Sequence, residues 1–285
     1  MPESNVIRRA MGGGRWFPGT RRELLSAVEE YIENAKVPRI ERRIVAGISP
    51  HAGYMYSGAV AGYTFRAVRD GVAAGLAPES VVVLGFSHRG GFEGAAIMDG
   101  DAIETPLGKL ALDREAADLL CRESSCTVLN YGPHADEHSA ENQLPFLQVA
   151  APSARAVVCI IGDHSAATLD SIAGALARLN EKRRILVVAS TDLLHDPDYE
   201  RVTATDRKTI EQFAAFDYAG ILNRWNYACQ VCCGIGPVVC AMRFAECLGV
   251  TRGRVLHYRN SGDDFPESRG SWVVGYGSAV FVEGD

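Results

Sequence analysis

The sequence predicts an α/β protein: one domain over residues 1–285 with a mainly parallel central sheet flanked by helices. Three observations carry this reading. Short apolar, β-branched runs recur at residues 43–48, 80–85, 155–162 and 184–191, each the length of a buried strand. Segments of helical periodicity stand between them, and strand alternating with helix at this pitch argues for parallel strands covered on both faces. No internal repeat, low-complexity tract or linker interrupts the pattern, and 47% hydrophobic against 22% charged residues supply a large core.

The elements follow in order. In PGTRRELLSAVEEYIENAK (18–36), Thr20 and Glu23 have the spacing of a capping box, and Leu24, Leu25, Val28, Tyr31 and Ile32 trace one helical face. RIVAGI (43–48) is a strand that must end near Pro50, because proline brings no N–H to a central ladder. SGAVAGYTFRAV (57–68) reads as a helix rich in small residues, and SVVVLG (80–85) as the clearest buried strand. Residues 95–113 divide into short strands at Asp99–Gly100 and Pro106–Gly108, closing on Asp113 as the N-cap of REAADLLCRE. CTVLN (126–130) is a strand, and SAENQLPFLQVAA (139–151) a helix that Pro145 should kink. RAVVCIIG, ATLDSIAGALARLN and RILVVAST form a strand–helix–strand unit over 155–191. A mostly helical stretch, 199–248, leads to the strands RVLHYRN (254–260) and WVVGYGSAVFV (272–282).

Composition excludes several function classes. The net charge of -6 comes from 29 basic and 35 acidic residues without long blocks, so neither a nucleic-acid surface nor a polybasic membrane patch is expected. No apolar run nears the roughly 20 residues of a membrane span. The N-terminal MPESNVIRRAMGGGRW lacks the apolar region of a signal peptide. The eight cysteines therefore read as reduced thiols, Cys240 and Cys247 among them as buried core, and the expected compartment is the cytoplasm.

Chemistry collects where the strands end. RIVAGISPH delivers His51, SVVVLGFSH delivers His88, and RILVVASTDLLH delivers Asp192 and His195. In a parallel sheet these C-terminal ends open on one edge, where clustered histidines and carboxylates point to a metal or to catalysis. A second cluster, PHADEHSAENQLPF, holds His134, Asp136, Glu137, His138 and Glu141, with His138 and Glu141 spaced for one helix face. It reads either as helix capping by Asp136 or Ser139 with a solvated acidic turn, or as Glu137 and His138 set behind a metal ligand or against substrate. Cys229 and Cys232 form a lone CxxC, too little for a zinc ribbon. Cys233, Cys240 and Cys247 recur every seven residues, and Cys233 is set apart by the GIGP break that follows it. Tyr54 and Tyr56, beside His51, are candidates to line a pocket. GGGRW lacks the Lys-Ser/Thr of a phosphate loop, and no GxSxG elbow occurs.

Taken together, SPHAGYMYSG, VVLGFSHR, DEHSAENQLPFLQ, STDLLHDPDY, CCGIGP and NSGDDF…WVVGYGSAVF closely resemble the Memo-like family. Its bacterial and archaeal members are labelled AmmeMemoRadiSam system protein B. The resemblance runs from GRWFPGT to the last strand, as one Memo-like domain. It implies a fold similar to the class III extradiol dioxygenases, which open catechol rings with non-haem iron(II). It further implies metal ligands at His51, His88 and Cys233, with Asp192 and His195 as catalytic residues and His195 moving the proton. Tyr54, Glu137 and His138 would then face substrate. Where the dioxygenases use a carboxylate this chain offers Cys233, a softer donor suited to iron(II), with copper or zinc as alternatives. Animal Memo proteins are associated with receptor signalling and phosphotyrosine-peptide binding. Three functions follow as expectations: an iron-dependent oxidoreductase or dioxygenase acting on a small aromatic or phenolic molecule, a zinc hydrolase, or a non-catalytic module binding an anionic peptide.

Overall fold

The computed structural model describes residues 6–285. In chain order the elements are β1 (Ile7–Arg9), α1 (Arg21–Asn34), β2 (Ile44–Ser49), α2 (Tyr54–Ala73), β3 (Ser80–Phe86), β4 (Ala95–Ile97), β5 (Ala102–Thr105), β6 (Gly108–Ala111), α3 (Arg114–Glu123), β7 (Thr127–Leu129), α4 (Leu144–Ala150), β8 (Arg155–Ile161), α5 (Ala166–Lys182), β9 (Ile185–Ser190), β10 (His195–Asp196), α6 (Tyr199–Ala214), α7 (Tyr218–Arg224), α8 (Ile235–Cys247), β11 (Arg254–Asn260), α9 (Ser261–Asp264) and β12 (Val273–Val282).

A large sheet runs in the order β10-β12-β2-β9-β3-β8-β4-β7, with β11 also paired to β12. Its middle, β2-β9-β3-β8, is parallel throughout. The flanks are not: β12 runs antiparallel to β2, β10 and β11, and β4 antiparallel to β8. The expected parallel character therefore belongs to the four strands whose continuous apolar runs demand cover on both faces. Side-chain alternation along β3 separates two cores. Val82 and Leu84 pack with Leu169 and Leu176 of α5 and Val239 of α8, whereas Val81 and Val83 join Leu24 and Val28 of α1, Phe65 of α2 and Phe146 of α4. A separate small sheet is formed by β1, β5 and β6.

Local chemistry explains most boundaries. Thr20 caps α1, its hydroxyl oxygen accepting from Glu23 N at 3.3 Å while the hydroxyl donates to the Glu23 carboxylate at 2.6 Å. Asp113 accepts from Ala116 N at 3.0 Å and starts α3. The small residues of α2 let α1 approach, since a Cβ on Gly62 would lie 2.4 Å from Tyr31 O.

Two expectations change. Pro145 kinks nothing: residues 141–143 form a 3-10 turn and α4 starts at Leu144, with proline in the first turn where its missing N–H costs no bond. The seven-residue cysteine stripe also dissolves. Cys233 lies in the loop before α8, Cys240 is buried inside that helix, and Cys247 at its end is exposed. Among the described residues, no helix is long and apolar enough to cross a membrane.

Candidate metal centre

The C-terminal ends of the central strands meet at one edge, as the parallel register requires. His51 follows β2, His88 follows β3, Asp192 follows β9, and His195 opens β10. All four line one cavity of about 860 Å³, together with His138, Trp16, Tyr54, Tyr56, Trp272 and Tyr276.

His51 is buried, and its Nδ1 lies 3.0 Å from Ser190 Oγ. Ser190 donates its only hydrogen to Ser139 O at 2.5 Å and accepts from Gln143 Nε2 at 2.8 Å. Its oxygen must therefore accept from His51 Nδ1–H, which leaves the Nε2 lone pair bare. Burial, then the repulsion of His88, holds the His51 imidazole well below its ordinary range.

His88 is fixed the same way by a charged partner. Its Nδ1–H donates to Glu137 Oε1 at 2.8 Å, so Nε2 is again the free nitrogen. The other Glu137 oxygen accepts from His88 N at 2.7 Å, while Oε1 also takes His138 N at 2.9 Å and Ser139 N at 2.7 Å. Burial raises the Glu137 carboxyl, but the bonds and charge of His88 outweigh it and pull it down to about 2. Glu137 thus serves His88 from behind, and it lines the smaller adjoining cleft rather than the main cavity.

The third imidazole is His138. It stacks on Trp16 at 4.1 Å with 4° between planes, and on His88 at 4.4 Å. Burial, then repulsion from His51 and His88, lowers it to about 3. His51, His88 and His138 each bring a ligand atom within 4.8 Å of the others. Cys233, also buried, places Sγ 3.4 Å from His51 Nε2. Cys233 is thus beside His51 but is not one of the trio of mutually close ligand atoms.

Asp192 ties the wall together. Its Oδ1 accepts from His51 N at 2.7 Å and Ala52 N at 3.2 Å, and its Oδ2 lies 4.0 Å from His51 Nε2. Burial raises its carboxyl. His195 donates Nδ1–H to Leu193 O at 3.0 Å, since a carbonyl can only accept, and so presents a bare Nε2. Tyr54 spends its hydroxyl on Asn142 O at 2.7 Å, its ring packed on Phe146. Tyr56 stands half-exposed at the rim against Phe265.

The remainder of the acidic-histidine cluster is scaffold. His134 is hydrogen-bonded to Ala96 O at 3.0 Å. Glu141 does not share a helix face with His138. It pairs with Arg8 and accepts Met11 N and Gly12 N at 2.7 Å, anchoring the segment that carries Trp16. Sequence reasoning missed Ser190, Gln143 and Trp16 as site residues. Ser190, a polar residue closing an apolar strand, was the one legible signal among them.

An α/β sheet whose strand ends and neighbouring loops bring three imidazoles together defines a class, a scaffold that could hold a metal ion. The chain belongs to the Memo-like family, whose model, described as Memo-like protein, matches residues 8–280. It is 37% identical over 243 residues to a MEMO1 family protein of Methanopyrus kandleri, covering 83% of each chain. A MEMO1 family protein of Nitrosopumilus maritimus is 30% identical over 282 residues, 97% of this chain and all of its own (100%). The crystal structure of an uncharacterized Escherichia coli K12 protein aligns with a TM-score of 0.48 and 14% identity, over 83% of this chain and 99% of that one.

Proposed function

We propose that this Memo-like chain is a single-domain, metal-dependent oxidoreductase whose centre lies on His51 and His88 and is completed by His138 and Cys233. The observation that carries it is the trio of imidazoles with ligand atoms within 4.8 Å of one another. Nitrogen donors beside a thiol suit iron(II), copper or zinc rather than magnesium, and iron(II) is the ion proposed. Bound there, the ion supplies Lewis-acid and one-electron chemistry.

The chain's own residues do the rest. Trp16, Trp272 and Tyr276 wall a cavity for a small aromatic or phenolic substrate. His195 Nε2, bare of hydrogen, takes the phenolic proton, and the charge of Asp192 favours the imidazolium that results. Asp192 also keeps the His51 loop in place through two backbone bonds.

One observation favours a second reading. A single-ring phenol fills only part of about 860 Å³, and the rim carries exposed Met55 and Trp272 beside Arg15. That rim suits an anionic peptide bound without turnover.

Anaerobic metal analysis followed by oxygen uptake on a catechol panel separates these. Iron with substrate-dependent uptake is expected; tightly held zinc with hydrolysis, or peptide binding without uptake, overturns the assignment. His195→Ala should keep its metal and lose turnover. Cys233→Ser and His138→Ala should each retain less metal than wild type, and equal retention would remove that residue from the centre.

A further inference from the structure

A second cleft, of about 1100 Å³, opens at the end of β8 and shares no lining residue with the histidine cavity. Phe92, Glu93, Asp163, His164, Trp225 and Tyr227 give it its character, and no lysine or arginine lines it. Trp225 is fixed by its Nε1–H bond to Cys232 O at 2.9 Å. His164 stands against it at 4.9 Å and 86°, and Tyr227 at 5.1 Å and 65°. Tyr227 is 84% exposed, so its ring is open to a ligand entering from solvent.

The charge in this cleft is one-sided. Burial would raise Asp163, but bonds from Ser165, Gly94 and Thr168 outweigh it and hold the carboxyl at about 2, so it is ionised. Glu93 is exposed and makes no ion pair among the described residues. Burial lowers the His164 imidazole, against the charge of Asp163. Asp163 already accepts Ser165 N at 2.8 Å, Gly94 N at 2.6 Å and Thr168 Oγ1 at 2.9 Å, which leaves little of it for a metal ion.

We propose that this cleft binds a small organic cation, an alkylated ammonium group packed on Trp225 and Tyr227 with Asp163 and Glu93 as countercharge. Such a cation suits the site because its methyl groups meet ring faces while its charge is diffuse and cheaply desolvated. An anion is repelled by both carboxylates.

The test is a titration with choline, followed by the indole N–H signal of Trp225 in labelled protein and assigned with Trp225→Phe. The neutral isostere 3,3-dimethylbutanol serves as the control. A saturable shift with choline is expected, with the isostere at least about tenfold weaker. Tyr227→Ala and Glu93→Gln should each weaken choline several-fold, while metal content and circular dichroism stay unchanged; His51→Ala should not affect it. An absent shift, equal binding of the isostere, or wild-type affinity in both cleft variants overturns the proposal.

Discussion

The two walls of the histidine cavity are built from the same kind of segment and held in different ways. His51, His88 and His138 are set by Ser190 and by Glu137, a carboxylate ionised over the whole working pH range. The adjoining wall, Asp192 to His195, which meets the first through the Asp192 bonds to His51 N and Ala52 N, leans on Asp206. That residue accepts Leu194 N at 3.1 Å, lies 3.0 Å from the Tyr258 hydroxyl, and is pushed up to about 7 by burial. One wall is charge-locked; the other depends on a carboxyl that titrates near neutrality. The lesson is that two joined segments of one pocket rest on carboxyls shifted in opposite directions, Glu137 lowered and Asp206 raised.

The largest effect expected is on the locked wall. His51→Ala or His88→Ala should abolish stoichiometric metal, measured by elemental analysis after dialysis against a weak chelator; full occupancy in either would break the comparison at its root. Glu137→Gln keeps the shape of the side chain but removes its charge. A loss of roughly 10–100-fold in metal affinity is expected, read by chelator competition.

A smaller effect tests the other wall. The folded pKa of Asp206, about 7, is raised above the unfolded value, so its contribution is fully present below about pH 4 and is lost as pH rises through 7. Between pH 5.5 and 8, wild type should lose about 2 kcal/mol of stability relative to Asp206→Asn in denaturant titrations. A gain, or a flat difference, would reassign what holds Leu194. The smallest effect belongs to Trp16→Phe, which keeps an aromatic face on His138. It should change metal affinity by no more than about threefold while removing a fluorescence signal that responds to metal.

How much of this was legible varies with distance along the chain. His51, His88, Asp192 and His195 could be placed because each follows an apolar run that proline, glycine or a polar residue stops, and strand ends of a parallel sheet share an edge. His138 could not be assigned to the metal from sequence, since its closeness to His88 depends on how residues 131–143 fold back over β3. Gln143 was hidden altogether, and Ser190 showed only as a polar end to an apolar strand: neither residue type marks the imidazole that Ser190 orients and Gln143 supports through it. The antiparallel flanks escaped too, because short apolar segments such as residues 95–97 give length and burial but not direction. Cys247 was misjudged because a seven-residue spacing tracks a helical stripe only while the helix remains covered.

The place of β9 in the sheet carries a consequence for synthesis. β2 and β3 do not touch; each pairs with β9, which lies between them. A ribosome that has released residues up to 184 has therefore made His51, His88 and His138 without the strand that brings the first two to a common edge. Such a nascent chain has the imidazoles without their common edge, and the proposed metal binding would wait for the last third of translation, when Ser190 and Cys233 also emerge. A polypeptide arrested before that point should bind metal no better than a loose string of histidines.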